Sequence, residues 1–147
     1  MTQMTVRNPD FETAVRDSFA RQGLMSHLGA ALAAVGPGAV EIEVAYRPEL
    51  TQQHGFFHAA VTTAIVDTAC GYSALTLMPA GSEVLTVELK INLIAPAEGE
   101  RLIARGRVIR SGRTITVCQG DAYGVRAGVR THCAIMTTTM MRVGQPA

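Results

Sequence analysis

The amino-acid sequence predicts an α+β fold in which a curved antiparallel sheet wraps around one long central helix, with an N-terminal helix in front. Three observations predict it. The stretch from His58 to Met78 is apolar on nearly every side, and Asp67 is its only charged residue. Such a helix has to be surrounded by protein. A run of alternating strands follows it, and another alternating strand, Ala39 to Arg47, precedes it. An antiparallel sheet of this kind needs one face covered, and the apolar helix is the element available to cover it.

Taken in order, Pro9 to Gly23 reads as a helix, with Asp10 as its cap and Phe11, Val15 and Phe19 at a spacing of four. Met25 to Val35 is mixed and reads as a strand, broken by Gly36, Pro37 and Gly38. In Ala39 to Arg47, Val40, Ile42, Val44 and Tyr46 point one way and Glu41, Glu43 and Ala45 the other, a half-buried strand that Pro48 ends. Thr51 to Phe57 is a loop. The central helix closes at Pro79, Ala80 and Gly81. Four strands then form an antiparallel meander: Glu83 to Ala95, Arg101 to Arg110, Arg113 to Tyr123 and Val129 to Val143. Ser111-Gly112 makes one tight turn and Gly124 to Gly128 another. With 147 residues and no linker, repeat or low-complexity tract, one domain is expected, residues 1–147, with residues 1–24 as the N-terminal helical segment and 39–143 as the core. The helix carries more apolar surface than one small sheet covers, which points to dimerisation.

Composition narrows the function. The formal net charge is +1, and no basic block of five or more occurs, so nucleic acid is not an expected partner. Trp is absent and aromatics make up 5%, too few for a base-stacking platform. Cys70, Cys118 and Cys133 are an odd, widely spaced set that fits neither a disulfide framework nor a zinc site. Met1 to Asp10 lack an apolar stretch, and Asp67 argues against a membrane span over Phe56 to Met78, so a cytoplasmic protein with no membrane partner is expected. There is no Walker motif, no dinucleotide-binding fingerprint and no Gly-x-Ser-x-Gly elbow.

The residues that carry chemistry begin with Asp67. A carboxylate on an apolar helix is expensive to bury unless it is paired or used. Burial raises its pKa and makes it more basic, which suits a general base or a nucleophile. The alternative is a structural Asp bonded to backbone near Gly71. The chain enters the helix through Gln52, Gln53, His54, Gly55, Phe56, Phe57, His58, Ala59 and Ala60. Free backbone N–H groups at a helix N-terminus make a site for an oxyanion, and His58 either positions a ligand there or simply bonds nearby backbone. Asp67 lies nine residues beyond His58, about 13.5 Å along a helix. The two cannot easily share one small site in one subunit, so if both act, a symmetric dimer brings His58 of one chain near Asp67 of the other. Arg101, Arg105, Arg107, Arg110 and Arg113 cluster around one hairpin. They suit the phosphates of a nucleotide, or form a solvated strand face. Phe56, Phe57, Leu77 and Met78 belong to the core or line an apolar channel.

The segment from Gln52 to Asp67 resembles the active-site segment of the PaaI-like hotdog-fold acyl-CoA thioesterases, in which a His-Gly-Gly turn opens the central helix and an acidic residue follows nine positions after the His. Thr86 to Ala97 resembles the strand that follows in that family, and Gly106-Arg107-Val108 through Gly112-Arg113-Thr114 its next hairpin. The likeness covers roughly Ala39 to Met141. It implies a hotdog fold and hydrolysis of an acyl-coenzyme A thioester to free acid and coenzyme A, and it would make an apolar channel at Phe56, Phe57, Leu77 and Met78 an acyl channel. Asp67 then matches the catalytic carboxylate, and Ala59 the residue whose backbone N–H polarises the thioester carbonyl. His58 matches the motif His, Gln52 a residue that orients the thioester or water, and Thr86 a hydroxyl that holds the water. The site is expected at a dimer interface, the dimer itself pairing into a tetramer. Arg110 and Arg113 are the candidates for the coenzyme A phosphates. No metal or redox cofactor is expected, coenzyme A being part of the substrate. Ala59 and Ala60 stand where the family has Gly-Gly; alanine keeps its N–H, but the methyl narrows the carbonyl pocket. Two other readings are a hotdog enoyl-CoA hydratase or dehydratase, and a non-catalytic acyl-CoA binder.

Overall fold

The structure is a computed structural model that describes residues 4–144. Six antiparallel strands form one sheet: β1 Ala30–Gly36, β2 Ala39–Ala45, β3 Ser82–Leu93, β4 Arg101–Ser111, β5 Ile115–Arg126 and β6 Val129–Gly144. The central helix, α3, runs from Ala59 to Leu75 and packs on the inner face of the sheet. α1 (Phe11–Ala20) and α2 (Gly23–Leu28) lie against β1 and α3. This is the hotdog fold that the sequence predicts.

The helix can lie close to the sheet because the strands beneath it lose their side chains. Gly106 on β4 and Gly120 on β5 face each other directly in the register. A Cβ at Gly106 would overlap the Ala69 carbonyl and the Cys70 amide; one at Gly120 would overlap Val66 and the Cys70 sulfur. Around this contact Ile65, Val66, Ala69 and Cys70 of α3 pack with Ile42, Val44, Leu102, Ala104, Met136 and Met140 of the sheet, all buried.

Several elements differ from the sequence reading. The N-terminal helix stops at Ala20, and a separate short helix follows at Gly23–Leu28, covering part of the stretch read as strand. Asp10 stands at the N-cap but its side chain makes no cap bond; its backbone is near the helical region rather than extended, which keeps the carboxylate from swinging onto the first turn. Tyr46 falls beyond the end of β2 and stacks edge-on against Phe57, ring centroids 5.7 Å apart. The second turn is tighter than expected: β5 extends to Arg126, and Ala127 and Gly128, both with positive φ, join it to β6.

The largest correction concerns the four-strand meander. β4, β5 and β6 are consecutive neighbours, but β3 pairs with β6, so the sheet order is β1-β2-β4-β5-β6-β3. β3 is therefore an edge. Leu85, Val87, Leu89, Leu93 and Ile94 are all exposed there, while the helix is largely covered by its own sheet. The surplus apolar surface lies on the edge strand, not on α3. A bulge at Val87 also interrupts the alternation of β3: Thr86 pairs with Met140 and Glu88 with Thr139, leaving Val87 extra. The core-facing parity switches there, from Thr86 on one side to Leu89 and Ile91 on the other.

The glycine contact yields a stability prediction. Gly106→Ala drives a methyl into helix backbone and should cost about 1–3 kcal/mol or more, lowering the melting temperature by roughly 2–4 °C per kcal/mol for a chain of this size. Gly71→Ala, on α3, meets only Val84 Cγ1 at 3.9 Å and should stabilise by up to about 1 kcal/mol through helix propensity. Thermal unfolding of the two variants should move in opposite directions.

Candidate active site

Asp67 sits in the middle of α3, half-buried, on the side of the helix that looks toward β3. The Thr86 hydroxyl donates to its Oδ1 at 2.8 Å. The bulge makes this contact. Unbroken alternation would have placed Thr86 with Glu88, on the outer face; the extra residue turns it inward to the helix. Thr86 Oγ also lies 3.3 Å from the Met140 sulfur. Its single proton belongs with the carboxylate, the stronger acceptor. No cation pairs with Asp67 among the described residues. Burial raises its pKa above the ordinary 3.8, and the Thr86 hydrogen bond partly offsets this. The group is a carboxylate made more basic by desolvation, with one hydroxyl holding it in place.

The helix N-terminus is open. His58 is the N-cap, and its Nδ1 accepts the Ala60 N–H at 2.9 Å. That bond leaves Nδ1 unprotonated in the neutral ring, so the proton sits on Nε2, on the exposed side. The Ala59 N–H has no acceptor among the described residues and is exposed. Gln52 accepts the His54 N–H with its side-chain oxygen, which leaves its amide NH2 group available.

The two ends do not meet within one subunit. A cavity of about 390 Å³ holds Asp67 and Thr86 together with Gly71 and Tyr72 of α3, Ser18 and Gln22 of the N-terminal segment, and Met140. A separate cavity of about 430 Å³ holds Gln52, Phe56, Ala59 and Thr62 beside Leu93 to Ala97. Of the residues read as an acyl channel, Phe56 and the buried Phe57 line this second cavity; Leu77 and Met78 are core. Three of the five clustered arginines are engaged on the outer face of the sheet. Arg101 lies 3.7 Å from Glu43, Arg105 3.0 Å from Glu41, and Arg107 bonds Gln119. Arg110 and Arg113, near the β4–β5 turn, are exposed and make no ion pair among the described residues.

The cysteines offer no competing nucleophile among the described residues. The three cysteines are buried free thiols; burial pushes Cys118 up to about 12 and raises Cys70 and Cys133 as well, so none is a ready nucleophile. Among the described residues no three His, Cys, Asp or Glu side chains converge as metal ligands, and no helix is long and apolar enough to cross a membrane.

A family model of the thioesterase superfamily matches residues 54–125, a stretch that includes Ala59, Asp67 and Thr86. A thioesterase family protein from Silicibacter pomeroyi is 47% identical, superposes with a TM-score of 0.89, and the match covers 91% of this chain and 98% of that one. This chain belongs to the thioesterase superfamily. The fold is shared more widely: the PaaI protein of the phenylacetic acid degradation operon of E. coli, 15% identical, reaches a TM-score of 0.81 over 94% of this chain and 96% of that one. A Saccharolobus solfataricus relative with a provisional esterase name is 33% identical over 56% of this chain, and the match spans 58% of that protein. Superfamily membership supports thioester hydrolysis in general.

Ser18, Gln22 and Tyr72 escape a reading of the sequence. Tyr72 is 54 and 50 positions from Ser18 and Gln22, to which it hydrogen-bonds, and nothing in local periodicity announces such a contact.

The raised pKa of Asp67 sets a pH dependence of stability. Below 3.8 both folded and unfolded carboxyls are protonated and the burial costs no charge. As pH rises through that value the unfolded chain ionises first, so stability falls until the folded carboxyl ionises too, and the loss then stays constant. Asp67→Asn should therefore melt higher than wild type at neutral pH, with the gap closing on acidification below 3.8. Thr86→Val should push the Asp67 pKa further up, read by carboxyl carbon NMR. An unmoved titration would mean that the hydroxyl does not stabilise the charged form.

Proposed function

We propose that this chain hydrolyses acyl-coenzyme A thioesters to the free acid and coenzyme A, at sites completed by two copies of the chain. The observation that carries the reading is a desolvated carboxylate held by one hydroxyl, in a protein of this superfamily, with an unspent N–H at the N-terminus of the same helix. Asp67 acts as base toward water or as nucleophile toward the thioester carbon. In the first case it takes the water proton as the hydroxide adds to the carbonyl. In the second its oxygen adds directly, and the mixed anhydride is later hydrolysed. Thr86 holds the carboxylate, and on the water route holds the water as well. The Ala59 N–H, at the positive end of the helix, stabilises the oxyanion that forms on the thioester oxygen. His58 and the free amide of Gln52 orient the thioester. The thiolate of coenzyme A leaves, and Arg110 and Arg113 hold its phosphates. No bound cofactor takes part.

The dimer supplies the geometry. Asp67 and Ala59 stand eight residues apart on one helix, about 12 Å, and they line different cavities. β3 offers an unpaired edge on which Leu85, Val87, Leu89 and Leu93 are exposed, as is Ile94 just beyond it. A second copy pairing along it covers this surface and brings the carboxylate half of one subunit to the N–H half of the other.

The test uses two variants. Asp67→Asn should abolish thiol release from an acyl-CoA panel running from acetyl to palmitoyl and including phenylacetyl, while the dimer persists in sedimentation. Retained full activity would sink the role given to Asp67. Ala59→Pro deletes the oxyanion N–H at the first helical position, where proline is well tolerated; His58 before it already has the extended backbone that proline demands. It should lose about 10²–10³ in kcat without loss of melting temperature. Co-expressed in equal amounts, the two inactive variants should regain about a quarter of wild-type activity, because half of the dimers are mixed and each carries one intact site. No recovery would place both halves in one subunit. Tight acyl-CoA binding without turnover would favour a binder instead.

A further inference from the structure

The floor of the cavity beside Asp67 is polar, and the hydrolytic scheme makes no use of it. Tyr72 follows Asp67 by five residues on α3, a rise of about 7.5 Å. Its ring is 3% exposed. Its hydroxyl accepts an N–H from Gln22 Nε2 at 3.0 Å and lies 3.1 Å from Ser18 Oγ. Two hydroxyls hold two protons between them, and only one proton can lie in the bond that joins them. If Tyr72 donates to Ser18, the serine proton is left over. If Ser18 donates to Tyr72, both tyrosine lone pairs are filled and the tyrosine proton is left over. Either way one O–H donor remains, and the Gln22 side-chain oxygen, Oε1, on the same amide group as the donating Nε2, has no partner among the described residues. The floor thus offers a donor and an acceptor on neutral groups.

The walls between Asp67 and this floor are different. Val84 and Met140 are apolar, and Gly71 leaves open the space one turn beyond the carboxylate, where an added Cβ would meet only Val84 Cγ1 at 3.9 Å. The Glu83 carboxylate also lines the cavity and makes no ion pair among the described residues. A second negative charge would be repelled there. An extended chain advances about 1.2 Å per bond, so 7.5 Å of helix corresponds to about six bonds.

We propose that this cavity is the acyl subsite, and that it selects a short acyl group, about six carbons long, ending in a neutral hydroxyl or amide that Tyr72, Ser18 and Gln22 read as specificity-determining residues. The proposal rests on the reading of Asp67 as the thioester-hydrolysing carboxylate. A long alkyl chain would run into the Tyr72 floor and strand its hydroxyls against methylenes, which costs affinity because buried polar groups are left unpaired. A dicarboxylic acyl group would meet Glu83.

The experiment compares kcat/KM for hexanoyl-, ω-hydroxyhexanoyl-, adipoyl- and decanoyl-CoA in wild type, Tyr72→Phe and Gln22→Leu, each checked for folding by thermal unfolding. In wild type the ω-hydroxy substrate should exceed hexanoyl by about tenfold, the gain of one net hydrogen bond, with adipoyl and decanoyl behind both. Each variant should bring the ratio of ω-hydroxyhexanoyl to hexanoyl toward one. Decanoyl ahead in wild type, or a ratio unchanged in both variants, overturns the proposal. In parallel, calorimetry measures binding of the non-hydrolysable thioether analogues of hexanoyl- and ω-hydroxyhexanoyl-CoA to wild-type protein. If no acyl-CoA is turned over, the hydrolase reading fails and this binding decides the subsite alone: tighter binding of the hydroxylated analogue supports it, equal binding overturns it.

Discussion

The architecture depends on the contact between the backbone of α3 and a bare patch of sheet. Gly106 and Gly120 stand opposite each other on neighbouring strands, beneath Ala69 and Cys70. With no Cβ on either, the helix settles so close that neither depth nor rotation is free. Any other side chain at these positions lifts the helix by the thickness of a methyl group. That contact lies two to three residues past Asp67, less than one turn. Which way the carboxylate points is therefore decided by two glycines that never approach it.

The sheet makes a matching adjustment. A carboxylate on a helix so largely buried needs a donor, and the nearest strand, β3, would by simple alternation present Thr86 to the outside. The extra residue at Val87 reverses the parity of the strand and brings the hydroxyl to 2.8 Å from Asp67. One hydrogen bond to a neutral donor is much weaker than an ion pair. It orients the carboxylate without cancelling the effect of desolvation, so the group stays more basic than a solvated aspartate. An arginine in the same place would have lowered the pKa and removed that basicity.

Much of this was legible in the residues and some was not, for identifiable reasons. The buried helix and its single acid showed because a helix enclosed by protein is apolar all round, and the strand at Ala39–Ala45 showed because half-burial leaves an alternating period. Periodicity says which face of a strand is buried and nothing about which strand lies beside it, so the crossing of β3 to the far side of β6 was missed. The bulge was hidden because Val87, Leu89, Ile91 and Leu93 alternate without a break; the slip shows only in the partner strand, where Met140 and Thr139 face Thr86 and Glu88. Around Asp67, the sequence pointed to the acid and to the helix N-terminus, and the resemblance to Thr86. It was silent about Tyr72, whose partners, Ser18 on α1 and Gln22 just after that helix, lie 54 and 50 residues earlier.

Under the proposed function, the placement of the exposed apolar residues and the division of the catalytic groups have one explanation. A helix rises about 1.5 Å per residue, so a carboxylate in its middle cannot reach an N–H at its first turn. A single subunit can hold only half of each site. The strand that carries Thr86, beside the carboxylate, is also the strand whose edge is unpaired and whose apolar side chains are uncovered. Covering that edge with a second copy of the same strand satisfies its backbone groups and buries Leu85, Val87 and Leu89. By two-fold symmetry it does so next to both carboxylates at once. Assembly and activity would then draw on the same residues, and a substitution that weakens the edge would cost activity even where it touches no reacting atom.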